Sequence, residues 1–220
     1  MDKFNNKGSA PTMVKNIVVF ECENGYLYRH NTLKIMGTAV IKRLINVDEY
    51  YKMAEVGILK PDDRLELING EIFKMSPIGN KHAAIVDRLA RILNNRFQSK
   101  AVIRVQNPVR FDLNNEPEPD ISILKYQAND YISGYPIPVD VLAIIEVAGS
   151  SIKFDKEVKA PLYALHSIPE YWIIDLESNR IEVLSTPNAG TYTNIQTYMP
   201  GDEVILMGQK LTVNELLILE

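Results

Sequence analysis

The 220-residue chain carries 24 basic and 28 acidic side chains, and hydrophobic residues make up 46% of it. This is the composition of an ordinary globular protein, so a disordered or fibrous chain is excluded. A net charge of -4 and a pI near 5.5 argue against a protein that coats nucleic acid by bulk electrostatic attraction, but they leave room for local contacts.

Cysteine content and hydropathy bear on location. The single cysteine, Cys22, cannot form an internal disulfide, and no Cys/His cluster has the spacing of a zinc site. No uninterrupted apolar run approaches the roughly 20 residues of a membrane span, and the first residues lack the apolar core of a secretory signal. We therefore expect a cytoplasmic protein with no membrane partner.

The first 35 residues differ from the rest. They are polar and turn-rich, with one stretch that resembles an isolated strand and turn, and Met13 and Met36 offer alternative starts. A true N-terminal extension over residues 1–35 and a misassigned start are about equally compatible with this pattern. We expect one domain over residues 36–220.

The first regular elements begin at Asn46. Asn46 followed by Glu49 is typical of a capped helix start, and Asn69-Gly70 between alternating apolar residues predicts a hairpin. An amphipathic helix follows. Its apolar positions are Ala84, Ile85, Leu89, Ile92 and Leu93.

The second half alternates strands with one helix. The stretches "AVIRVQ", "VDVLAIIEVA", "YWIIDL" and "RIEVLS" predict strands, the second apolar on both faces as in a covered sheet. The stretch "EPEPDISIL" predicts a loop that leads into a buried strand. A helix is predicted from about Asp155 to His166, provided that it starts late or bends at Pro161. The tail predicts further strands and a short helix capped by Thr212. Tyr171 and Trp172 are expected in the core.

Three carboxylates interrupt apolar strands. An ionised Glu146 within "VLAIIEVA" costs several kcal/mol unless it is paired or bound to a metal. Asp120 lies at the mouth of another apolar strand, and Glu66 alternates with leucines in the hairpin. If the three acids cluster, a hard divalent cation such as Mg²⁺ would compensate their repulsion.

Each acid also has a simpler interpretation. Glu146 could form a buried ion pair with a lysine or arginine, Asp120 could belong to a Pro-Asp turn, and Glu66 could face solvent. The prediction of a metal site therefore depends on the whole set.

Four blocks of sequence together resemble one family. They are "DRLELINGEIFKMSPIGNKHAAIVDRLARIL", "EPEPDISIL", "IIEVAGSSIKFDKEVKAPLYA" and "IPEYWIIDL". In this order, over about residues 40 to 218, they resemble the Uma-two family of "putative restriction endonucleases" in the PD-(D/E)-x-K nuclease superfamily. The resemblance implies an α+β or α/β, restriction-endonuclease-like fold: a mixed central β-sheet flanked by helices, with an N-terminal hairpin.

The resemblance also implies site residues. Asp120 matches the acid of the PD element, Glu146 the second metal-binding acid and Glu66 the acid of the early hairpin. Ala148 stands where the superfamily lysine would be, two residues after Glu146. In the family the lysine comes from the following helix, which makes Lys159 the candidate, with Lys153 and Lys156 as close competitors.

Further residues are weaker candidates. His82 has either a substrate or proton-transfer role or a local hydrogen bond. Lys81, Arg88 and Arg91 could contact phosphates or form a solvated helix face. Gln106 could orient a metal-bound water or simply end a strand.

The leading hypothesis is an endonuclease that hydrolyses DNA phosphodiester bonds with Mg²⁺, or with Mn²⁺. A homodimer would suit the cutting of both strands, although no residue demonstrates one. The alternative is a non-catalytic module that binds nucleic acid or protein and keeps the nuclease fold. A glycosidase with two carboxylates is weaker, because it leaves Lys159 without a task.

Overall fold

The structure is a computed structural model that describes residues 41–60 and 62–218, together with the backbone of two short strands. The chain divides into two compact units, Met1–Lys42 and Arg43–Glu220. In the first unit, β1 (Cys22–Glu23) and β2 (Tyr26–Leu27) pair antiparallel. The alternative starts Met13 and Met36 lie outside the described residues, so the predicted domain boundary stays a prediction.

A six-stranded mixed sheet forms the centre of the second unit. From one edge to the other its strands are β10 (Thr191–Tyr198), β9 (Arg180–Asn188), β8 (Glu170–Asp175), β7 (Val141–Ala148), β6 (Ile121–Lys125) and β5 (Ala101–Val105). All neighbours are antiparallel except β7 and β8, which run parallel. The predicted mixed sheet flanked by helices is confirmed.

Parallel strands need a crossover, and a helical segment between β7 and β8 supplies it. The segment consists of α3 (Ile152–Phe154), a π-helical turn (Asp155–Lys159) and α4 (Ala160–Leu165). The predicted start near Asp155 was wrong, because the helix begins three residues earlier. Pro161 would clash with the preceding turn of a regular helix, and the wider π turn lies directly before it.

The remaining elements follow the sequence signals. Helix α1 (Val47–Glu55) has the predicted capping box, and β3 (Leu65–Ile68) and β4 (Glu71–Lys74) form the predicted hairpin. Asn69 and Gly70 both have positive φ, 52° and 71°, as the two-residue turn requires. The chain ends with β11 (Glu203–Leu206), β12 (Gln209–Thr212) and α5 (Val213–Leu216), which Thr212 caps. Short 3₁₀ turns occupy Gln98–Lys100 and Pro138–Asp140.

Helix α2 (Asn80–Phe97) packs on one face of the sheet. Its buried positions are Ile85, Val86, Leu89, Leu93 and Phe97. Ala84, predicted to face the core, is exposed, because the apolar stripe turns toward Val86 and Phe97. The same core contains Trp172, while Tyr171 lies in the core on the opposite face, so both are buried as predicted. In the described part of the chain, no helix has the length and apolar character that a membrane span requires.

Alternation along β7 decides where Glu146 points. Ala143, Ile145 and Val147 belong to the core under α2, whereas Ile144 and Ala148 belong to the core under α4. Because successive side chains in a strand point to opposite faces, Glu146 lies on the α4 face. The strand thus aims its one carboxylate at the crossover helix.

Candidate active site

Four predicted residues from four separate segments lie in one buried cluster. Glu66 comes from β3, Asp120 immediately precedes β6, Glu146 lies in β7 and Lys159 ends the π turn. The ammonium nitrogen Nζ of Lys159 lies 2.9 Å from Glu146 Oε1 and 3.2 Å from Glu66 Oε1. Glu66 and Lys159 are each 1% exposed, so the predicted solvent-facing alternative for Glu66 does not apply.

Asp120 and Glu146 are joined through the backbone of neighbouring strands. The backbone N–H of Asp120 donates to Glu146 Oε2 at 3.2 Å, and the N–H of Val147 donates to Asp120 Oδ2 at 2.9 Å. The antiparallel register pairs Ile121 with Ile145, which brings these two positions side by side. Strand pairing therefore fixes both carboxylates relative to each other.

Two polar side chains orient Asp120. His82, in the first turn of α2, places Nε2 2.9 Å from Asp120 Oδ2, and the Gln106 amide nitrogen donates to Oδ1 at 3.1 Å. Gln106 has a φ of 49° just after β5, so it both ends the strand and contacts the acid. Although burial alone would raise it, the pKa of Asp120 is held below its ordinary value by His82, the Val147 N–H and Gln106.

Two buried residues of the crossover helix were not predicted. The Tyr163 hydroxyl donates to Glu146 Oε1 at 2.9 Å, and Asp155, 2% exposed, accepts from the Ser151 hydroxyl at 2.8 Å. Asp155, Lys159 and Tyr163 are spaced by four, which puts them on one side of a helix. That spacing, read from Lys159, is the signal that could have found them.

The buried acids outnumber the buried cation. Glu66, Glu146 and Asp155 act on the ammonium group of Lys159, and Asp120 lies buried beside Glu146. Burial raises the pKa of Glu146 to about 8, against the attraction of Lys159 and with added repulsion from Asp120, Asp155 and Glu66. Burial alone would lower the pKa of Lys159, but its acidic neighbours raise it well above the ordinary value. Lys159 is therefore charged at any physiological pH.

The other basic candidates lie elsewhere. Lys156 pairs with Glu182 at 2.7 Å, and the side chain of Lys153 is 80% exposed. The Arg88 guanidinium donates to the backbone oxygen of Glu215 at 2.6 Å, and Arg91 is exposed. Among the described lysines that compete for the role, only Lys159 contacts the acids.

A cavity of about 590 Å³ opens onto this cluster. Asp120, Glu146, Asp155 and Lys159 line it, and so do His82 and Gln106. Lys81 lies on its wall, with Nζ 3.0 Å from the backbone oxygen of Leu176. Neither Arg88 nor Arg91 lines it. A ligand in the cavity would therefore contact Asp120, Glu146, Asp155, Lys159 and the start of α2, whereas Glu66 lies behind this lining.

The donor set has the chemistry of a site for a hard cation. Carboxylate oxygens are the preferred ligands of Mg²⁺, and Glu66 Oε1 accepts no directed hydrogen bond although Lys159 Nζ lies 3.2 Å away. In the arrangement seen, no three His, Cys, Asp or Glu side chains of the described residues converge on one point for an ion, and Lys159 contacts two of the acids. The residues fit a cation in charge and donor type, and Lys159 would have to move aside.

Removal of the Tyr163 hydroxyl tests whether it holds Glu146. Tyr163→Phe is expected to lower the free energy of unfolding by about 1 kcal/mol, because it removes a buried hydrogen bond to the carboxyl group of Glu146. Urea unfolding measures this loss. Tyr198→Phe is the matched control, since its hydroxyl bonds to Gln196 at the exposed surface, and it should change stability little. Equal losses in both variants would contradict the assignment.

The mixed sheet, its flanking helices and the buried acid-lysine cluster are what a nuclease-like protein is expected to have, and the family comparison supports this class. The family model described as "Uma2: Putative restriction endonuclease" matches residues 47–214. The chain belongs to this family, so the predicted family is confirmed.

One solved structure has the same fold. It is described as a "putative nuclease belonging to DUF820" from Anabaena variabilis, with 20% sequence identity and a TM-score of 0.64. The match covers 78% of this chain and 97% of that one. A comparison with curated proteins found no match.

Proposed function

We propose that this protein is a divalent-metal-dependent endonuclease that hydrolyses phosphodiester bonds in DNA. The observation that carries the proposal is the position of Lys159. Lys159 is 1% exposed and comes from the helical segment that follows β7. Its ammonium group contacts Glu66 and Glu146, and the residue lines the cavity. Family membership supports the same class of reaction.

Each residue has a distinct proposed task. Glu66, Asp120 and Glu146 would hold Mg²⁺ or Mn²⁺. Such an ion lowers the pKa of bound water and stabilises charge on a phosphate. The Lys159 ammonium would orient the attacking water or neutralise charge that develops on the phosphate. His82 and Gln106 keep Asp120 ionised and fixed in orientation through their contacts at 2.9 and 3.1 Å.

A second candidate function has its own supporting observation. The Lys159–Glu146 contact of 2.9 Å is also what a buried structural ion pair would show. A non-catalytic module that keeps the nuclease fold would retain this pair and would have no need for a metal. Metal affinity therefore separates the two functions.

Calorimetric titration with Mg²⁺ and with Mn²⁺ measures that affinity. We expect wild type to bind either ion, and Asp120→Asn to bind about tenfold or more weakly, because even residues that only support metal ligands have effects of this size. Asp87→Asn is the matched control, an exposed acid on α2 that should leave the affinity unchanged. No measurable binding by folded wild type would favour the binding module.

A further inference from the structure

An aromatic pair lines the cavity beside the acids. The ring centroids of Phe73 and Phe154 are 4.9 Å apart with an interplanar angle of 54°, and both rings are partly exposed. We call this pair the aromatic wall. Phe73 pairs directly with Glu66 in the β3–β4 register, and side chains opposite each other in a hairpin share a face. Phe154 immediately precedes Asp155, so both rings adjoin the acid cluster.

Further apolar residues line the cavity. Met75, Pro77 and Ile78 also line it, and Ile78 is 39% exposed. Asp120, Glu146, Asp155 and Lys159 line the same cavity. A cavity lined by both apolar and charged side chains suits a ligand that has both an apolar face and a charged group.

Cationic side chains lie along the same cavity. Arg64, Lys74 and Lys81 line it, and the side chain of Lys74 is 70% exposed. Their present partners are Ser76 O for Arg64, at 2.8 Å, and Asp63 for Lys74, also at 2.8 Å. Exposed groups of this kind suit phosphates of a nucleic-acid backbone.

We propose that the aromatic wall stacks against an unpaired nucleobase, so that the site takes single-stranded nucleic acid in preference to intact duplex. The inference rests on the proposed function and names its substrate class. In a duplex, neighbouring bases cover both faces of each base, whereas an unpaired base can offer its face to an aromatic ring. The cations then hold the flanking phosphates, and the acids lie beside the same nucleotide.

Fluorescence anisotropy in the presence of a chelator tests the wall without cleavage. The probes are a labelled single-stranded DNA oligonucleotide, its RNA counterpart and the matching DNA duplex. Wild type is expected to bind at least one single strand more tightly than duplex. Phe154→Leu, which keeps apolar volume but loses the π face, should weaken single-strand binding about fivefold or more and leave duplex binding unchanged. Phe73→Leu should act in the same direction.

Tyr126→Leu is the control, because Tyr126 is an exposed aromatic residue, 54% accessible, that does not line the cavity. Thermal unfolding verifies that each variant folds. Duplex bound as tightly as single strand, an unchanged affinity in both phenylalanine variants, or no binding of any probe would overturn the proposal. Cleavage of duplex DNA with affinities insensitive to Phe154→Leu would leave the nuclease standing without the wall. Absence of cleavage with the expected affinities would do the reverse.

Discussion

Replacement of Lys159 by methionine is expected to lower the free energy of unfolding by about 3–5 kcal/mol at neutral pH. The change removes the buried ammonium group that contacts Glu66 and Glu146, and it leaves the charge of Glu66 without a partner. Methionine keeps most of the side-chain volume, so the loss reports charge and not a cavity. Urea unfolding followed by circular dichroism measures it.

Two further variants make the Lys159 result specific. Lys153→Met, at a side chain 80% exposed and 3.9 Å from Glu157, should change stability by less than about 1 kcal/mol. The double variant Lys159→Met, Glu66→Gln should recover part of the loss, because it removes the charge that Lys159→Met leaves without a partner. A loss of similar size for Lys153→Met, or no recovery in the double variant, would contradict the assignment.

Replacement of Glu146 by glutamine is expected to flatten the dependence of stability on pH. The pKa of Glu146 is about 8 in the folded protein and about 4.5 when unfolded, so between these values the folded state holds a proton that the unfolded state has released. Stability therefore falls as pH rises through this window, by an amount on the order of a few kcal/mol, and levels off above pH 8. Lys159 stays protonated in the folded and unfolded states over this range. Asp120, whose pKa is lowered, changes its protonation only at pH values below this range.

The difference between the two unfolding profiles isolates Glu146. Asp155 and His166, whose pKa values are also raised, contribute to the wild-type profile with the same sign, but they remain in Glu146→Gln. We expect the free energy of unfolding of Glu146→Gln, relative to that of wild type, to increase steadily as pH is raised from 4.5 to 8. Parallel profiles over that range would show that Glu146 is ionised in the folded protein at low pH.

Local signals in the sequence were enough for most of the fold. The Asn-Gly turn, the capping box at Asn46 and the apolar strand that contains Glu146 each depend on a few neighbouring residues, and each was predicted correctly. The helix start was missed, because Pro161 argues for a late start in a regular helix. The π turn over Asp155–Lys159 accommodates Pro161, so the helix begins earlier. Local rules could not supply that detail.

The candidate site was predicted less completely. An acid inside an apolar strand needs a partner, and this made Glu146 visible, but three lysines in the following segment were equal candidates by charge. The path of the crossover buries Lys159 against Glu146 and brings Tyr163 to the same carboxyl group, which the charges in the sequence do not reveal. The pairing of Phe73 with Phe154 in the cavity depends on how the β3–β4 hairpin packs against the crossover helix, and no short sequence pattern predicts that packing.

The most direct test of the nuclease is metal-dependent nicking of supercoiled DNA by wild type and by Glu146→Gln, run beside linear and single-stranded DNA. We expect cleavage with Mg²⁺ or Mn²⁺, none with chelator and none by the variant, while Glu55→Gln, an exposed acid on α1, cleaves normally. Cleavage that persists in Glu146→Gln or in chelator, or no cleavage of any of these DNAs by folded, metal-loaded wild type, would contradict the proposed function.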